Sequence, residues 1–438
     1  MVAMVIGSNP LFQLSLGASL QALAQASVGG GARAGRHTLP SMPALSALVD
    51  ILLVDPLAAL VPVDPLAAAA RRKRMRAAPD AFQRGALALH LRLALHELCA
   101  GGPCVWGNGD PHVGNFATLA NGVRRAGTPT PVVYDLADGD DEHPTPWAWD
   151  LARLLASLAV ARPRLGRGDL RQLGAHAIAR YRQVLGRAAE DDAEHGGRIF
   201  LQDLPPPLIE LFDRDADPAN EAAWWRERAL LGKRPRLRRD DQQADAPEAD
   251  AILSTLGAWP AARGKLELID CVRRVGSGVG SLGRGRWRVL ARGADGWRML
   301  EVKERRPSEV AAVILGQPFT PHVAAPHHTV RLGRDPWQTL LSAAPWPLLV
   351  RTRDHARGVL DVAKLDDADL RTTVSLWATL IANFHLAGTR PLVTDLATYA
   401  ARVADDAGRR TREVSDGAWK IASEMRAAHR IYRRATNG

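Results

Sequence analysis

The sequence predicts an α+β protein in which a helical region comes first, a small antiparallel sheet follows it, and helices close the chain. Apolar residues recur at helical spacing through residues 79–98 and again through 149–162. Three strand-like runs come next, with glycine-rich turns between them, at residues 266–272, 287–291 and 297–303. The helical pattern returns from residue 363. We therefore expect two compact regions of different type, one after the other along the chain.

Composition and charge indicate a globular protein of the cytoplasm. The 438 residues are 46% hydrophobic, which is enough for a sizeable core, and their net charge of +10 favours phosphate-rich ligands, nucleic acid or an anionic surface. The three cysteines form neither a CxxC pair nor an even disulfide framework, which predicts a reducing compartment. No basic residue precedes Arg33, and aspartates and prolines interrupt the most apolar stretch, residues 44–66. We therefore expect neither export nor a membrane span.

The first motif is a glycine-punctuated loop at residues 106–116, with the sequence WGNGDPHVGNF. Asp110 and Asn115 lie five positions apart in it. In kinases, an Asp of the catalytic loop orients the acceptor hydroxyl, and an Asn five residues later binds magnesium. The same residues fit a polar turn in which both side chains bond their own backbone. Taken alone, the loop leaves both interpretations open.

The second motif is an apolar run that ends in a cluster of carboxylates, VVYDLADGDDE at residues 132–142. Like charges this close raise one another's pKa, and a bound divalent cation is the usual reason for a protein to tolerate them. The alternative is a solvated acidic turn, which leaves the strand-like run before it unexplained. A third segment, WAWDLARLL from residue 147, begins a helix in which Asp150 is expected to have a structural role, either as a cap or by reaching back to the first loop.

The fourth motif is a glycine-rich stretch followed by strands and a lysine. The glycines and serines that we expect to cover phosphates are Gly276, Ser277, Gly278, Gly280 and Ser281. A strand, a turn and a second strand ending at Lys303 come next, and this order fits a kinase flap and the lysine that grips the phosphates. A Rossmann loop would open into a helix, and a P-loop would need Gly-Lys-Ser/Thr, which is absent here.

Together these motifs resemble a bacterial family known as domain of unknown function 2252. The resemblance runs from about Arg74 to beyond His385. Its landmarks are GDxHxxNF from residue 109, YDLxDxD from 134, PWxWDLxRL from 146, GSGVGS from 276 and VKE from 302. The acidic segment departs from the usual pattern at Ala137, Gly139 and Asp141. The family name implies no reaction.

The same segments resemble aminoglycoside and choline kinases, in which HGDxHxxN precedes a strand ending in Asp and a helix beginning Asp-Leu-Ala. Asn108 stands here in place of the first histidine of that motif. In those kinases the flap, the lysine and a helix ending in histidine come before the loop, whereas in this sequence they come after it. The resemblance therefore implies a two-lobed, protein-kinase-like fold that is circularly permuted, a rearrangement that domains with neighbouring termini tolerate.

This resemblance implies a division of the chain and a set of functional residues. The segments are an N-terminal leader and helix (1–70), a helical catalytic lobe (71–262), a small β-rich nucleotide-binding lobe (263–355) and C-terminal helices (356–438). The expected ligands are ATP and Mg²⁺, with Asp110 and His112 as catalytic residues and Lys303 with the flap on the nucleotide. The metal ligands implied are Asn115, Asp135, Asp138 and Asp140. The acceptor, a small molecule or a protein, is not specified, and nucleotidyl transfer stays open beside phosphoryl transfer.

Three other functions compete with this hypothesis. A nucleotide-binding pseudoenzyme is one, because no Glu partner for Lys303 is evident: Glu304 adjoins it and Glu309 is six residues on. A metallophosphohydrolase is another, suggested by Gly-Asp-x-His and the carboxylates. A nucleic-acid binder is the third, suggested by basic runs at 71–76 and 233–239. The sequence has only 4 Tyr and 7 Phe, so the stacking platforms of single-strand binders are scarce.

Overall fold

The computed structural model describes most of the chain beyond the first 64 residues. The ranges described are 65–98, 102–120, 132–139, 141–187, 204–240, 243–258, 266–274, 284–294, 296–305, 335, 337–343 and 346–436. All but the end of the leader expected at 1–70 lies outside these ranges, and so do residues 275–283, where the glycine-rich flap is expected.

The helical region has one apolar core to which helices from both ends of the chain contribute. Its helices are α1 (Pro65–Ala77), α2 (Pro79–Gly85), α3 (Leu87–Leu98), α4 (Ala148–Ala161), α5 (Arg167–Arg187), α9 (Asp367–Thr389) and α10 (Leu396–Ala435). Helix α4 is rich in Ala and Leu on every face and is buried along almost its whole length, as expected for a central helix. The 40 residues of α10 are amphipathic instead, and the buried ones recur every three or four positions along one side.

Two short pairs of antiparallel strands lie at the end of this region that faces the sheet. Strand β1 (Cys104–Gly107) pairs antiparallel with β4 (His143–Pro146), and β2 (Phe116–Ala120) pairs antiparallel with β3 (Val132–Leu136). The 3₁₀ turn Val113–Asn115 leads directly into β2. Phe116 stacks on Trp377 of α9, with ring centroids 5.0 Å apart, so a C-terminal helix anchors the start of this hairpin.

The second region is a six-stranded antiparallel sheet with the strand order β11-β12-β10-β9-β8-β7. Its strands are β7 (Gln243–Asp245), β8 (Glu267–Arg274), β9 (Arg286–Gly293), β10 (Gly296–Glu304), β11 (Thr339–Leu341) and β12 (Leu348–Thr352). Alternate residues of the central strands, such as Val289, Leu300 and Val302, point into a separate small core. Helix α8 (Ala249–Gly257) covers this core through Ile252 and Leu256.

Helices α6 (Pro206–Ala216) and α7 (Pro218–Arg228) and the short hairpin of β5 (Ala229–Leu230) and β6 (Arg236–Leu237) join the two regions. None of the described helices is long and apolar enough to cross a membrane.

The structure confirms a mixed α+β protein whose described elements follow the expected order of helices, sheet and helices. Residues 232–250 have few apolar side chains in the sequence, yet they contribute to the fold. They contain β6 and β7, and Gln243 is buried, where its side chain accepts a hydrogen bond from Arg288 at 2.7 Å. Strands of two or three polar residues carry no apolar alternation that a sequence pattern could reveal. Because α8 packs on the sheet, the sheet region begins before residue 263.

Candidate functional site

A cleft of about 280 Å³ separates the hairpin end of the helical region from the sheet. Its walls include Asp110, His112, Asn115 and Asp138 from the first region. Among the described residues that line it there are seven arginines and four carboxylates. The cleft therefore carries a positive electrostatic potential, which suits an anionic ligand.

The loop after β1 delivers Asp110 to this cleft, and its path depends on Gly109. Gly109 has a φ of 84°, a region that residues with a Cβ rarely adopt. A Cβ at this position would also collide with the backbone carbonyl of Asp141 in the neighbouring turn. The glycine thus lets the loop pass close to the acidic segment.

Asp150 holds the backbone of the loop from the first turn of α4. Its Oδ2 accepts a hydrogen bond from the N–H of Asn108 at 2.7 Å, and its Oδ1 accepts one from the N–H of Gly109 at 3.1 Å. His385 Nε2 lies 3.0 Å from the same Oδ2, and Tyr181 bonds the other ring nitrogen of His385 at 2.7 Å. Asp150, His385 and Tyr181 are all buried, so a chain of buried groups from three helices fixes the loop.

The same face of α4 makes further contacts to the loop. The indole of Trp149 donates to the carbonyl of Gly109 at 3.2 Å, and the hydroxyl of Ser157 accepts from the N–H of Val113 at 3.0 Å. Arg153, which is fully buried, donates from Nε to Oδ1 of Asp110 at 2.7 Å. One helix therefore positions both the backbone and the carboxylate of this loop.

The carboxylate of Asp110 faces the cleft and is not engaged by backbone N–H groups of its own loop, as a simple polar turn would require. Burial raises the pKa of Asp110 to about 7, although the charge of Arg153 opposes this shift. The negative charges of Asp141 and Asp138 raise it further. Asp110 is therefore poised to take up a proton near neutral pH.

His112 shapes the loop and stays neutral. Its Nδ1 accepts from the N–H of Gly114 at 3.0 Å, which leaves the proton on Nε2, 3.8 Å from Oδ2 of Asp110. Burial and the charges of Arg153 and Arg84 hold the pKa of His112 well below its usual value. His112 thus stands beside Asp110.

Asn115 and Asp138 meet at the start of the β2–β3 hairpin. The amide of Asn115 donates to the carbonyls of Asp110 at 3.1 Å and Asp138 at 3.2 Å, and the carbonyl of Asn115 accepts from the N–H of Ala137 at 2.7 Å. The pairing of Phe116 with Leu136 sets this register. It brings residues 137–138 opposite the end of the loop.

Asp135 lies within the β2–β3 hairpin, where it pairs with Ala117. It is buried, its Oδ1 accepts from the N–H of Leu136 at 2.8 Å, and it is not among the described residues that line the cleft. Asp138, which the sequence analysis also expected as a metal ligand, does line the cleft. Asp140 and the flap residues 276–281 lie outside the described residues.

Cations from the sheet grip the acidic turn across the cleft. Lys303 Nζ lies 2.8 Å from Oδ1 of Asp138. Arg305 donates to the carbonyl of Gly139 at 2.9 Å and lies 3.2 Å from Oε1 of Glu142. Burial alone would raise the pKa of Asp138, but Lys303, Arg351 and Arg286 together outweigh it and hold that pKa well below the usual value. Asp138 is therefore ionised at neutral pH.

A second buried pair stands behind Lys303. Arg351 on β12 lies 2.6 Å from Oε2 of Glu301 and donates to the carbonyl of Ala137 at 3.0 Å. Burial would raise the pKa of Glu301, yet Arg351 and then Arg286 keep it well below the usual value. The carboxylate two residues before Lys303 is thus paired with an arginine.

The sequence analysis missed Arg153, Arg351 and Glu301. Arg153 had a signal, because it follows Asp150 by three residues and so shares its helical face. Arg351 and Glu301 had none, since nothing local in the sequence indicates that their strands are neighbours in the sheet.

One further group of possible metal ligands lies outside the cleft lining. Among the described residues, single ligand atoms of Glu221, Asp354 and His355 lie within 4.8 Å of one another. Both ring nitrogens of His355 are occupied, by Asp354 at 2.9 Å and by the carbonyl of Asp215 at 2.6 Å. Hydrogen bonds therefore already occupy the ligand atoms of His355.

Comparison with known proteins identifies the family. A sequence model described as "Uncharacterized protein conserved in bacteria (DUF2252)" matches residues 63–435, which is most of the chain. The chain belongs to the DUF2252 family. Neither the curated proteins nor the solved structures gave a match. The match to DUF2252 covers both the helical region and the sheet, so the cleft between them lies within the family domain.

We expect Asp150→Ala to lower the free energy of unfolding of this DUF2252 protein by about 2–4 kcal/mol, because it leaves two buried N–H groups and a buried histidine without their acceptor. Urea unfolding followed by circular dichroism measures the change. Asp405→Ala, at an exposed position of α10, is the matched control and should change stability by less than about 0.5 kcal/mol. Equal effects of the two changes would contradict the bracing role.

The carboxyl group of Asp110 is expected to titrate with a pKa of about 7 in the metal-free protein. Since burial disfavours the charged form, Asp110 is protonated below this pH and ionised above it. Carboxyl-carbon NMR with selectively labelled aspartate measures the titration, and Asp138 serves as the internal comparison because Lys303 keeps it ionised to much lower pH. An Asp110 signal that titrates near 4 would show that solvent reaches the carboxylate freely.

Proposed function

We propose that the chain is an ATP- and Mg²⁺-dependent phosphotransferase with a circularly permuted, protein-kinase-like arrangement. The observation that carries this proposal is the contact of 2.8 Å between Lys303 and Asp138. It joins the sheet to the loop region at the point where Asp138 also meets Asn115. In kinases, a lysine on the third strand and the metal-binding Asp and Asn converge on the phosphates in the same way.

The topology of the sheet supports this proposal. Residues 275–283, which contain the glycine-rich stretch, join the consecutive strands β8 and β9, and Lys303 lies near the end of the next strand, β10. A kinase carries its glycine-rich loop and its β3 lysine in this order. The strands β8, β9 and β10 are also adjacent in the sheet, as a flap that covers a lysine requires.

The contact between α9 and β1 supports the permutation. The N–H of Trp106 donates to Oγ1 of Thr389 at 2.9 Å, and a Cβ at Gly388 would lie 2.6 Å from the Trp106 ring. The helix that contains His385 therefore ends where the loop motif begins, although 283 positions separate Trp106 from Thr389. In the unpermuted kinases this helix runs into the loop through the chain itself.

The donor atoms fit a magnesium ion. Asn115 directs its amide hydrogens at two backbone carbonyls, which leaves its Oδ1 without a protein donor among the described residues. Oδ1 of Asp138 pairs with Lys303, and the other oxygen of this carboxylate remains for a ligand. Hard oxygen donors of this kind, few in number, are what magnesium takes when phosphate oxygens complete its shell. When bound, the ion would neutralise charge on the transferring phosphoryl group.

The remaining residues hold and orient the reactants. Arg153 holds one oxygen of Asp110, and the other faces the cleft, where it can orient an acceptor hydroxyl and accept its proton. Lys303 supplies a fixed positive charge on the phosphates. Catalysis would then rest on positioning and on charge stabilisation in a cleft whose polar groups are already in place.

A nucleotide-binding pseudoenzyme is the second candidate, and a specific observation favours it. Glu301, two positions before Lys303 and therefore on the same face of β10, is paired with Arg351 at 2.6 Å. Active protein kinases place a Lys–Glu ion pair at the phosphates, and here an arginine already holds this glutamate. Cys104 and Cys271 are free thiols, the state in which a reducing compartment keeps cysteines. For either candidate function we therefore propose that the protein is cytoplasmic.

Asp138→Asn should abolish magnesium-dependent ATP binding, because it removes a ligand charge while keeping the side-chain shape. Asp135→Asn is the matched control in the same hairpin and should leave that affinity within about twofold, since Asp135 does not line the cleft. Isothermal titration calorimetry with ATP and Mg²⁺ measures both. Loss of binding in Asp135→Asn alone would return the metal role to Asp135.

Asp110→Asn should leave ATP and Mg²⁺ binding nearly intact and reduce turnover by roughly 10²–10⁴-fold, as loss of a positioned general base does. The measurement is ATP consumption by wild type and variant in the presence of candidate hydroxyl acceptors. Wild-type protein that binds ATP and turns over none of these acceptors, or water, would favour the pseudoenzyme. An equal loss of ATP affinity in Asp110→Asn would make Asp110 a further metal ligand.

A further inference from the structure

The sheet side of the cleft carries a cluster of arginines that the proposed catalytic residues do not use. We call Arg274, Arg286, Arg353 and Arg357 the arginine wall. They come from three places in the chain: the end of β8, the start of β9 and the segment after β12. All four line the same cleft as Asp110 and Asp138.

Three buried nitrogen atoms of the arginine wall have no hydrogen-bond partner among the described residues. The Nε of Arg353 and both the Nε and Nη1 of Arg274 are buried, and none of the three atoms has a hydrogen-bond partner in the described part of the chain. Buried donors of charged groups are costly when unpaired. Three such atoms in one cleft indicate that something other than these protein residues pairs with them.

The charges within the wall repel one another. Burial lowers the pKa of Arg353 well below its usual value, and the neighbouring charge of Arg357 adds to this. Burial lowers the pKa of Arg357 to about 10, with Arg351 as the next cause. Glu301 is the carboxylate that counters them most, and it is already held by Arg351.

We propose that the arginine wall is a subsite for a phosphate group, formed by residues other than Lys303 and Asp138. Guanidinium groups offer planar pairs of donors that match phosphate oxygens, and a dianion would satisfy the buried nitrogens and relieve the repulsion together. Two sources supply this chemistry, the terminal phosphates of a bound nucleotide and a phosphate on the acceptor. Phosphate binding by the arginine wall does not depend on the proposed phosphoryl transfer. Only the assignment of this phosphate to the acceptor rests on the proposed function.

The first test uses the full chain and inorganic pyrophosphate in metal-free buffer, by calorimetry. Wild type is expected to bind pyrophosphate, and Arg353→Met and Arg274→Met are each expected to weaken it by about tenfold or more, as loss of a charge-assisted hydrogen bond does. Arg371→Met, at an exposed position of α9, removes the same charge outside the cleft and should leave the affinity unchanged. Absence of binding to wild type, or equal weakening in Arg371→Met, would overturn the subsite.

The melting temperature without ligand shows whether the Arg353→Met and Arg274→Met variants are folded. One folded variant is enough to test whether the arginine wall binds pyrophosphate. Because each substitution removes a repelling charge, neither is expected to lower the melting temperature. Pyrophosphate should raise the melting temperature of wild type more than that of either variant.

A second arm identifies the source of the phosphate, with ATP and AMP titrated in the presence of Mg²⁺. If the nucleotide's terminal phosphates fill the wall, Arg353→Met weakens ATP but not AMP, and pyrophosphate competes with ATP. If an acceptor phosphate fills it, ATP affinity is unchanged and pyrophosphate binds alongside ATP. Arginine-dependent pyrophosphate binding without any ATP binding would overturn the proposed donor and leave the subsite standing.

Discussion

The arrangement of the cleft depends on charge pairs that join the sheet to the acidic turn. Lys303 with Asp138 and Arg305 with Glu142 connect the two regions directly. Arg305 and Glu142 are both buried, and removing one partner of a buried pair typically costs about 3–5 kcal/mol, because the other charge is left uncompensated. The pairs therefore fix the distance between the regions more firmly than apolar contacts, which are non-directional. The cleft is held open at one width.

The loop on the other side of the cleft has little support of its own. The backbone N–H of Asn108 donates to Asp150, and Arg153 donates to the carboxylate of Asp110. Both come from α4, the most deeply buried helix of its region. A site mounted on a rigid helix is more exactly positioned than one on a free loop. The helix thus turns an irregular segment into a defined surface.

The sequence allowed the α+β class, the order of the regions and several residues of the cleft to be predicted. Asp110, Asn115 and Lys303 could be named because each belongs to a local motif with fixed spacing. Asp135 and Asp138 were both expected as metal ligands, and the sequence could not tell which of them lines the cleft, because that depends on how β2 and β3 pair. Asn121-Gly122 is a signal for a two-residue hairpin turn, but residues 121–131 separate the two strands, so this signal does not give their register.

The arginine wall could not be predicted from the sequence for a related reason. Arg274 ends one strand and Arg353 follows another, and they share a surface only because β8 and β12 belong to one sheet with β9 and β10 between them. In the sequence each is one of many basic residues on a chain with 57 lysines and arginines. Overall charge suggested an anionic partner, but the place where the charge gathers is a property of the tertiary fold.

The brace between Asp150 and His385 has a consequence for synthesis on the ribosome. The two residues are 235 positions apart, and Tyr181 is made long before the histidine that it bonds. During translation the loop therefore leaves the ribosome well ahead of the helix that completes its support, and domains generally fold as units as they emerge. A nascent chain that stops before α9 has the loop motif but not the histidine that completes its support. The brace around the loop is therefore complete only when synthesis is nearly finished.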